Sequence, residues 1–478
     1  MSVIDFVHNL SRDTHEALEQ NLLTPDSYLL APNNATADLR QRAALLRDAG
    51  LDLLSDNGNF VEIGRIRKLF ATEAAALLDE VREFERQTLG HSIRRGEMPD
   101  SLEQRYRDLA NRAAKAAREA VAEPAAMVAD QLALNPTALI GVEDITMACW
   151  LSLDIERVYT GIRRSRYRNM NRRIARAAIQ QIPTLPGFVR HRYFPVASAV
   201  SHDTACDAGR EFAAASLRAV SMGFGAYMAD SNFTDHMYIN QRRFDFGANL
   251  PARYMRTVFV ARGFREGYRE VLGRSPLRFH FLGLGAPIML PLVALASRGT
   301  SELTFDATSP IKDATRDGVL YVEEPAPLKI RIRKVVHRLA ATPSRIWDCP
   351  CPFCTRFAAE HPFDYPLGHA WFQDTAATKV LARDLAPGGA LHTAYPLFSE
   401  PAAGSPLRRL VNFSRIGHNH WVVEQILSKL RTARSQGLLQ RHVAELIDAY
   451  VPLTSPPFAK AIQLSFHIAR GVLPDNEP

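Results

Sequence analysis

The chain is poor in cysteine and has no long apolar segment. Its 478 residues include five cysteines, three of them within six residues, and such sparse, clustered cysteines are typical of a reducing compartment. There is no run of eighteen apolar residues, so we expect no membrane-spanning helix and no membrane partner. Residues 1–10 lack the basic and apolar regions of a secretory signal, which predicts a cytoplasmic protein.

Acidic residues are missing from one long stretch, between Glu156 and Asp203. Within it, seven arginines fall between Arg163 and Arg176. Arginines without sequence-local counter-charges favour contact with phosphate, although a solvated helix face is the alternative. The net charge of +7 and the pI near 9.2 are compatible with a nucleic-acid partner. The predicted phosphate contacts are Arg163, Arg164, Arg166 and Arg168.

What the chain does contain is a soluble globular composition, 46% hydrophobic and 23% charged. Eight short apolar runs alternate with helical patterns, which predicts an α/β protein with a (β/α)8 TIM barrel. An open doubly wound sheet is the alternative. The predicted strands are Tyr28–Pro32, Leu51–Ser55, Thr137–Glu143, Tyr193–Ala197, Gly225–Ala229, Thr257–Ala261, Phe279–Leu284 and Leu303–Phe305.

Two segments interrupt this rhythm within a single domain of residues 1–478. Residues 65–133 are rich in Ala, Glu, Arg and Leu with helical periodicity, which predicts an inserted pair of antiparallel helices turning near Gly96. Residues from about 325 to 450 contain the cysteine cluster and a loop-rich stretch. We expect this second segment to form a zinc-binding subdomain.

The cysteine cluster is the segment Cys349-Pro350-Cys351-Pro352-Phe353-Cys354. A C-x-C-x-x-C pattern supplies three thiolates, and tetrahedral zinc needs a fourth ligand. Unligated thiols that happen to cluster are the alternative, and a disulfide between Cys349 and Cys351 would strain its geometry. The histidines that follow the cluster are His361, His369, His392, His418 and His420.

Three predicted strands end in carboxylates, which are Asp56, Glu143 with Asp144, and Asp306. Each could simply cap the next helix. In a barrel, however, polar residues at the carboxyl ends of strands form the active site, and paired carboxylates allow one to attack while the other moves protons. The nearby Gly283 and Gly285 would let the backbone approach a flat ligand closely.

Together these motifs resemble the tRNA-guanine transglycosylases over about residues 28–450. The segments that carry the resemblance are Leu54–Phe60, Phe279–Pro287, Phe305-Asp306, the cysteine cluster and His418-Asn419, which we expect to open a helix. The resemblance implies a base exchange in which guanine leaves a ribosyl carbon. It also implies a structural zinc ion with Cys349, Cys351, Cys354 and His418 as ligands.

The same resemblance assigns roles in the active site. Asp306 matches the nucleophile that attacks C1′, and Asp56 matches the general acid/base acting on the incoming base. Phe60 matches an aromatic residue that stacks on the base, and Asn57 in the same turn is also expected to bind the substrate. Asp144 matches the carboxylate that reads the guanine amide edge, with Glu143 as the alternative register.

Departures from the family favour its DNA-modifying branch. Ala197 or Ser198 stands where the family has a base-reading Gln, and about sixty residues separate Cys354 from His418. The segment Phe305–Pro310 looks more like the enzymes that exchange guanine in DNA for a 7-deazaguanine such as preQ0, which implies DNA and the partner proteins of a DNA-modification system as partners. A tRNA substrate is the first alternative, and a non-catalytic zinc-containing nucleic-acid-binding barrel is the second.

Overall fold

The computed structural model describes most of the chain and gives an α/β architecture. The described residues are 3–91, 93, 97–121, 124–153, 155, 163–199, 201–223, 236–239, 242–245, 252–332, 349–361, 396–398 and 401–471. The strands are β1 Val3–Asn9, β2 Ser27–Leu30, β3 Asp52–Ser55, β4 Ala138–Ile140, β5 Tyr193–Phe194, β6 Val196–Ala197, β7 Ala219–Gly223, β8 His236–Ile239, β9 Arg242–Asp245, β10 Arg278–Leu282, β11 Glu302–Asp306, β12 Val319–Val322 and β13 Leu328–Arg331.

Helices follow most of the strands along the chain. They are α1 Arg12–Glu19, α2 Ala37–Asp48, α3 Asn59–Phe84, α4 Asp100–Ala120, α5 Pro124–Leu132, α6 Thr146–Ser152, α7 Arg163–Gln181, α8 Gly187–Arg190, α9 His202–Ala214, α10 Ala252–Leu272, α11 Met289–Ala296, α12 Ser309–Thr315, α13 Pro352–Glu360, α14 Pro406–Arg431, α15 Gln436–Tyr450 and α16 Pro456–Arg470.

The main sheet is parallel and nearly closed on itself. Its strand order is β5-β4-β3-β2-β1-β11-β10-β7-β6. Tyr193 and Phe194 pair with β4, whereas Val196 and Ala197 pair with β7. Only Pro195 separates the two pairs in sequence. One extended stretch of chain, residues 193–197, therefore supplies both edge strands of the sheet. The predicted α/β class and barrel-like sheet are therefore confirmed.

Both faces of this sheet are buried, which explains why its strands read as apolar runs. One face carries a small core that includes Val7, Leu54 and Phe194. The opposite face packs under the helices through side chains such as Phe279 and Phe305. Because the strands are parallel, their carboxyl ends meet at one end of the barrel-like sheet.

The strand predicted at Thr257–Ala261 is wrong, because these residues lie inside helix α10. Their unbroken apolar character reflects a helix buried on all sides rather than a strand. Two glycines permit the close approach of α9, since a Cβ on Gly263 would lie 2.4 Å from the His202 carbonyl oxygen and one on Gly267 would lie 2.0 Å from that of Cys206. Tight helix packing therefore produced the misleading pattern.

The amino-terminal strand β1 was not predicted, although it occupies the centre of the sheet between β2 and β11. Its buried polar residues, Asp5 and His8, break the apolar run that marks the other strands. The strand predicted at Gly225–Ala229 lies outside the described residues. Strand β7, a few residues earlier, pairs with β10 and β6.

Helices α3 and α4 run antiparallel to one another in the segment between β3 and β4. The ion pairs Glu80–Arg105 and Glu73–Arg112 connect them in opposite chain order. Their facing sides form a core of their own, which includes Tyr106. The Trp150 indole donates to the Ala110 carbonyl oxygen at 2.9 Å, so this helix pair is fastened to α6 beside the sheet. Gly96, where the turn was predicted, lies outside the described residues.

Candidate active site and metal centre

Residues that follow neighbouring strands line one cavity of about 410 Å³ at the carboxyl end of the sheet. Asp56 comes directly after β3, Asp306 is the last residue of β11, and Glu143 follows β4. The volume is within the usual range of small-molecule sites. Other residues that line the cavity include Asn9, Leu30, Asn57, Gly58, Phe60, Gly223, Leu282, Gly283, Ser309, Lys312 and Arg316.

Asp306 has two close polar neighbours, of which one donates a hydrogen bond to it. Its Oδ1 accepts a hydrogen bond from the Gly283 backbone N–H at 3.1 Å and lies 3.3 Å from His280 Nε2. The other ring nitrogen of His280 lies 2.9 Å from Thr304 Oγ1, which fixes the orientation of the imidazole. Asp306 is 6% exposed, so one oriented carboxylate faces the cavity.

His280 was missed by sequence reasoning. It is fully buried in the middle of β10 between Phe279 and Phe281, and a single histidine in an apolar run is indistinguishable from a structural one. The signal that could have found it is strand alternation. Successive side chains point to opposite faces, which places His280 on the face that also carries the cavity residue Leu282.

The second carboxylate, Asp56, shares the cavity with Asp306. Its side chain is partly open to the cavity but otherwise surrounded by protein. Burial raises the pKa of Asp56 to about 6, and the negative charge of Asp306 raises it further, while a hydrogen bond from the Asn57 backbone opposes both. Asp56 can therefore exchange a proton near neutral pH, as a general acid/base must.

The turn after Asp56 is fixed by its own polar side chains. Asn57 Nδ2 donates to the Gly141 carbonyl oxygen at 2.8 Å, and Asn57 Oδ1 accepts from the Asn59 backbone at 3.0 Å. Gly58 has φ of +71°, and a Cβ there would lie 2.6 Å from Asn33 Nδ2. Asn57 thus lines the cavity, but its carboxamide mainly ties the end of β3 to the end of β4.

Of the two acidic residues after β4, Glu143 lines the cavity and Asp144 does not. Ser198 Oγ donates to Glu143 Oε2 at 3.2 Å. Burial raises the pKa of Glu143 to about 7, with a smaller contribution from the charge of Asp56. Asp144 instead caps α6 through the Thr146 N–H at 2.9 Å and pairs with Arg173 at 3.1 Å. The alternative register is therefore the one that brings a carboxylate to the site.

An aromatic ring and two basic side chains border the cavity. Phe60 is 56% exposed, and the Lys312 ammonium lies 5.1 Å from the centre of its ring. Burial and the neighbouring Arg316 lower the pKa of Lys312. Neither Lys312 nor Arg316 was predicted as a site residue, because α12 is short and the spacing of its residues forms no recognisable motif.

The two predicted glycines differ in their positions. Gly283 has φ of +76° and lines the cavity next to Asp306. Gly285 is not among the residues that line the cavity in the described part of the chain. A Cβ on it would lie 2.5 Å from Ala307 Cβ and Ser309 Oγ, so its role is to let the segment after Asp306 pack closely.

Three cysteines and one histidine form a separate cluster. The Sγ atoms of Cys349, Cys351 and Cys354 lie 3.4, 3.5 and 3.5 Å from His418 Nδ1, and all four ligand atoms lie within 4.8 Å of one another. A tetrahedral zinc ion places its sulfur and nitrogen ligands about 3.5–3.6 Å apart, given bonds of about 2.3 and 2.0–2.1 Å. The arrangement therefore fits a metal ion such as zinc.

Local structure pre-forms this cluster. Cys351 caps helix α13, with its Sγ accepting from the Cys354 backbone at 3.2 Å. His418 donates from Nε2 to the Tyr321 carbonyl oxygen at 2.8 Å, which leaves Nδ1 as the ligand atom. Hydrogen bonds from Cys351 and Cys354 hold the pKa of Cys349 well below its usual range. At least one thiolate is thus available for a cation.

The sequence predicted that His418 opens a helix. This prediction is wrong, because His418 lies in the middle of α14. This helix begins at Pro406, where Ser405 Oγ accepts from the Arg408 backbone at 3.1 Å. The adjacent Asn419 accepts from the Tyr321 N–H at 2.8 Å and donates to the Pro310 and Val319 carbonyl oxygens, both at 3.1 Å. The centre of a long helix holds the ligand more rigidly than its first turn.

The arginine run lies on α7, but the side chains from 163 to 171 are outside the described residues. The predicted phosphate contacts Arg163, Arg164, Arg166 and Arg168 fall in that part. Later arginines of the run do have counter-charges from other elements, which sequence proximity could not reveal. Those pairs are Arg172 with Asp207 at 3.3 Å, Arg173 with Asp144 at 3.1 Å and Arg176 with Glu211 at 2.9 Å.

Comparison with known proteins adds no assignment. No family model matches the chain, and a search of curated proteins finds no match.

The helices in the described part of the chain include none with the length and hydropathy of a membrane span.

Proposed function

We propose that this protein is a guanine transglycosylase built on a (β/α)8 TIM barrel, and that it exchanges guanine in DNA for a 7-deazaguanine base. The observation that carries the proposal is the pair Asp306 and Asp56, which come from two strand ends and face one cavity. One accepts a hydrogen bond from the Gly283 N–H and lies 3.3 Å from His280 Nε2, and the other has a pKa raised to about 6. Such a division of roles suits a two-step displacement.

In the first step, the Asp306 carboxylate attacks C1′ of the target nucleoside. The bond from C1′ to N9 of guanine breaks, and the base leaves with a proton supplied by Asp56. In the second step, the incoming base gives its N9 proton to the Asp56 carboxylate, and its N9 attacks C1′. The ester bond to Asp306 then breaks, so one base has replaced another and both carboxylates return to their starting states.

Glu143 and Phe60 are suited to holding the base. A carboxyl group with a pKa near 7 can donate or accept a hydrogen bond, and its partner Ser198 adds a hydroxyl. The exposed ring of Phe60 offers a stacking surface, and Lys312 and Arg316 beside it can attract phosphate. A guanine in duplex DNA would have to be flipped out to reach this cavity.

Zinc is proposed as a structural ion. Cys349, Cys351, Cys354 and His418 would fill all four positions of a tetrahedral ion, which leaves none open for water or substrate. When bound, the ion would fix α13 against α14.

The DNA substrate rests on the resemblance of Phe305–Pro310 to the DNA-modifying branch, and tRNA is the second candidate. The test is to incubate the purified protein with isotopically labelled 7-deazaguanine and either duplex DNA, single-stranded DNA or tRNA. Mass spectrometry of the nucleosides then identifies the polymer that gains the label. Label in tRNA alone would reassign the substrate, and label in none of the polymers would contradict the transglycosylase. In that last case the non-catalytic alternative would have to explain why Asp56, Glu143 and Asp306 share one cavity, since burying charge costs stability.

A further inference from the structure

A second cavity, of about 320 Å³, opens at the other end of the barrel-like sheet. It is lined by Ile4 and Leu303, the second residues of β1 and β11. Leu303 precedes Asp306 by three residues, about 10 Å along a strand, so the cavity is separate from the proposed active site. Its remaining lining residues are Ala294, Ser297, Arg298, Gly299, Thr300, Ser301, Leu430, Ala433, Arg434, Ser435, Gln436 and Leu439.

The charge of this cavity is positive. Arg298 and Arg434 line it, and none of the described residues that line it is acidic. The guanidinium of Arg298 donates to the carbonyl oxygens of Ala469 at 2.6 Å and Arg470 at 3.1 Å, which orient it without neutralising it. Burial lowers the pKa of Arg298, and the nearby Arg262 lowers it further. A bound anion would relieve both effects.

Two buried hydroxyl groups at the same cavity have no hydrogen-bond partner among the described atoms. They are Ser297 Oγ and Thr300 Oγ1, on residues that are only 1% and 2% exposed. Buried polar groups are nearly always satisfied, so two adjacent exceptions in one cavity call for a ligand or water. Both hydroxyls can donate to an anion.

A helix terminus adds to this arrangement. Ser435 and Gln436 line the cavity, and they are the cap and the first residue of α15. Ser435 Oγ accepts from the Leu438 N–H at 3.1 Å, which satisfies one backbone amide of the first helical turn. The amides that precede Leu438 in this turn stay available to a ligand. Helix amino termini attract anions through those amides and through the helix dipole.

We propose that this cavity is a binding site for a phosphate group, held by Arg298 and Arg434 and by the hydroxyls of Ser297 and Thr300. The site is independent of the proposed base exchange. Its volume would accommodate the phosphate of a small phosphorylated molecule or of a nucleic-acid terminus, and the chemistry of recognition is shared by both.

The proposal is tested by calorimetric titration of the full-length protein with inorganic phosphate. A titration with sodium chloride of equal ionic strength is the control. Arg434→Gln should weaken phosphate binding about tenfold, as expected for loss of a hydrogen bond between charged groups. Arg441→Gln is the matched control, because Arg441 is an exposed arginine on α15, the helix that follows Arg434, and does not line the cavity. Thr300→Val, which keeps the side-chain shape, should weaken binding by a smaller factor.

Lys312→Gln separates this proposal from the proposed function, because Lys312 borders the other cavity. Phosphate affinity unchanged by Lys312→Gln and lowered by Arg434→Gln supports the second site. Displacement of phosphate by a 5′-phosphorylated dinucleotide, but not by a small sugar phosphate, would assign the phosphate to nucleic acid, and the reverse would assign it to a metabolite. Equal affinities for Arg434→Gln and Arg441→Gln, or no saturable binding beyond the chloride control, would overturn the proposal.

Discussion

The strand-end cavity and the Cys3His cluster each bring together residues distant in sequence, but they satisfy their polar atoms differently. In the cluster, four ligand atoms converge on one point, and the remaining nitrogen of His418 is bonded to Tyr321. In the cavity, Asp56 and Glu143 have raised pKa values and face open volume. The cluster is therefore suited to stabilising the fold. The cavity, in contrast, leaves the carboxyl groups of Asp56 and Glu143 available to a substrate.

The largest effect is expected from Asp306→Asn, which removes the proposed nucleophile and leaves the shape of the side chain. Base exchange should fall at least about a thousandfold, since an amide cannot form the covalent ester. Transfer of labelled base into nucleic acid measures this, with binding and thermal unfolding recorded in parallel. Asp38→Asn, on the exposed face of α2, should leave exchange unchanged. Wild-type exchange by Asp306→Asn would place the active site elsewhere.

Cys351→Ala should produce the next largest effect, on stability rather than on chemistry. Loss of one thiolate from a four-ligand site should release the metal and lower the folded yield, because metal binding at such sites contributes directly to folding. Cys149→Ala is the matched control, since Cys149 is fully buried but is not a member of the cluster. Elemental analysis should find zinc in the control and not in Cys351→Ala. Equal zinc in both proteins, or none in the wild type, would contradict the ligand assignment.

Replacement of Arg163, Arg164, Arg166 and Arg168 by Gln should weaken nucleic-acid binding to a similar extent for different base sequences. Each lost phosphate contact should also flatten the slope of log affinity against log salt by about 0.9 for duplex DNA. Gln at Arg172, Arg173 and Arg176 is the internal comparison, because these side chains already pair with acidic residues. Binding measured across a salt series decides the matter. If the salt slope of the Arg163, Arg164, Arg166 and Arg168 variant equals that of the wild type, these arginines form a solvated helix face and do not contact phosphate.

The smallest effect concerns Glu143→Gln and stability. The pKa of Glu143 is raised from 4.5 to about 7 by burial, so the folded state favours the protonated acid, and stability is lost as the pH rises through about 7. The Gln variant should be more stable than the wild type at pH 8 by on the order of 1–3 kcal/mol, and equally stable at pH 4. Denaturant unfolding at both pH values measures this, with the exposed Glu119→Gln as control. An identical pH dependence in wild type and variant would argue against a buried carboxylate.

How far the sequence could predict the molecule depended on how local each signal was. The carboxylates Asp56 and Asp306 were found because they directly follow buried strands, and the cysteines because they lie together. His280 and the counter-charges of the arginine run were missed, since these contacts join residues that are distant in the chain. Thr257–Ala261 was misassigned because a fully buried helix and a buried strand have the same apolar composition.

Asn419 has a consequence for how the chain can be divided. Its carboxamide joins α14 to Pro310 and Val319, and Pro310 is the second residue of α12, four residues after Asp306. The helix that carries His418 is thereby anchored to the segment that follows Asp306, the proposed nucleophile. Cutting the gene between residues 332 and 349 would therefore not release two modules that fold alone. Anyone seeking a minimal fragment should keep both halves, and grafting the cysteine-rich half onto another scaffold would have to bring β12 with it.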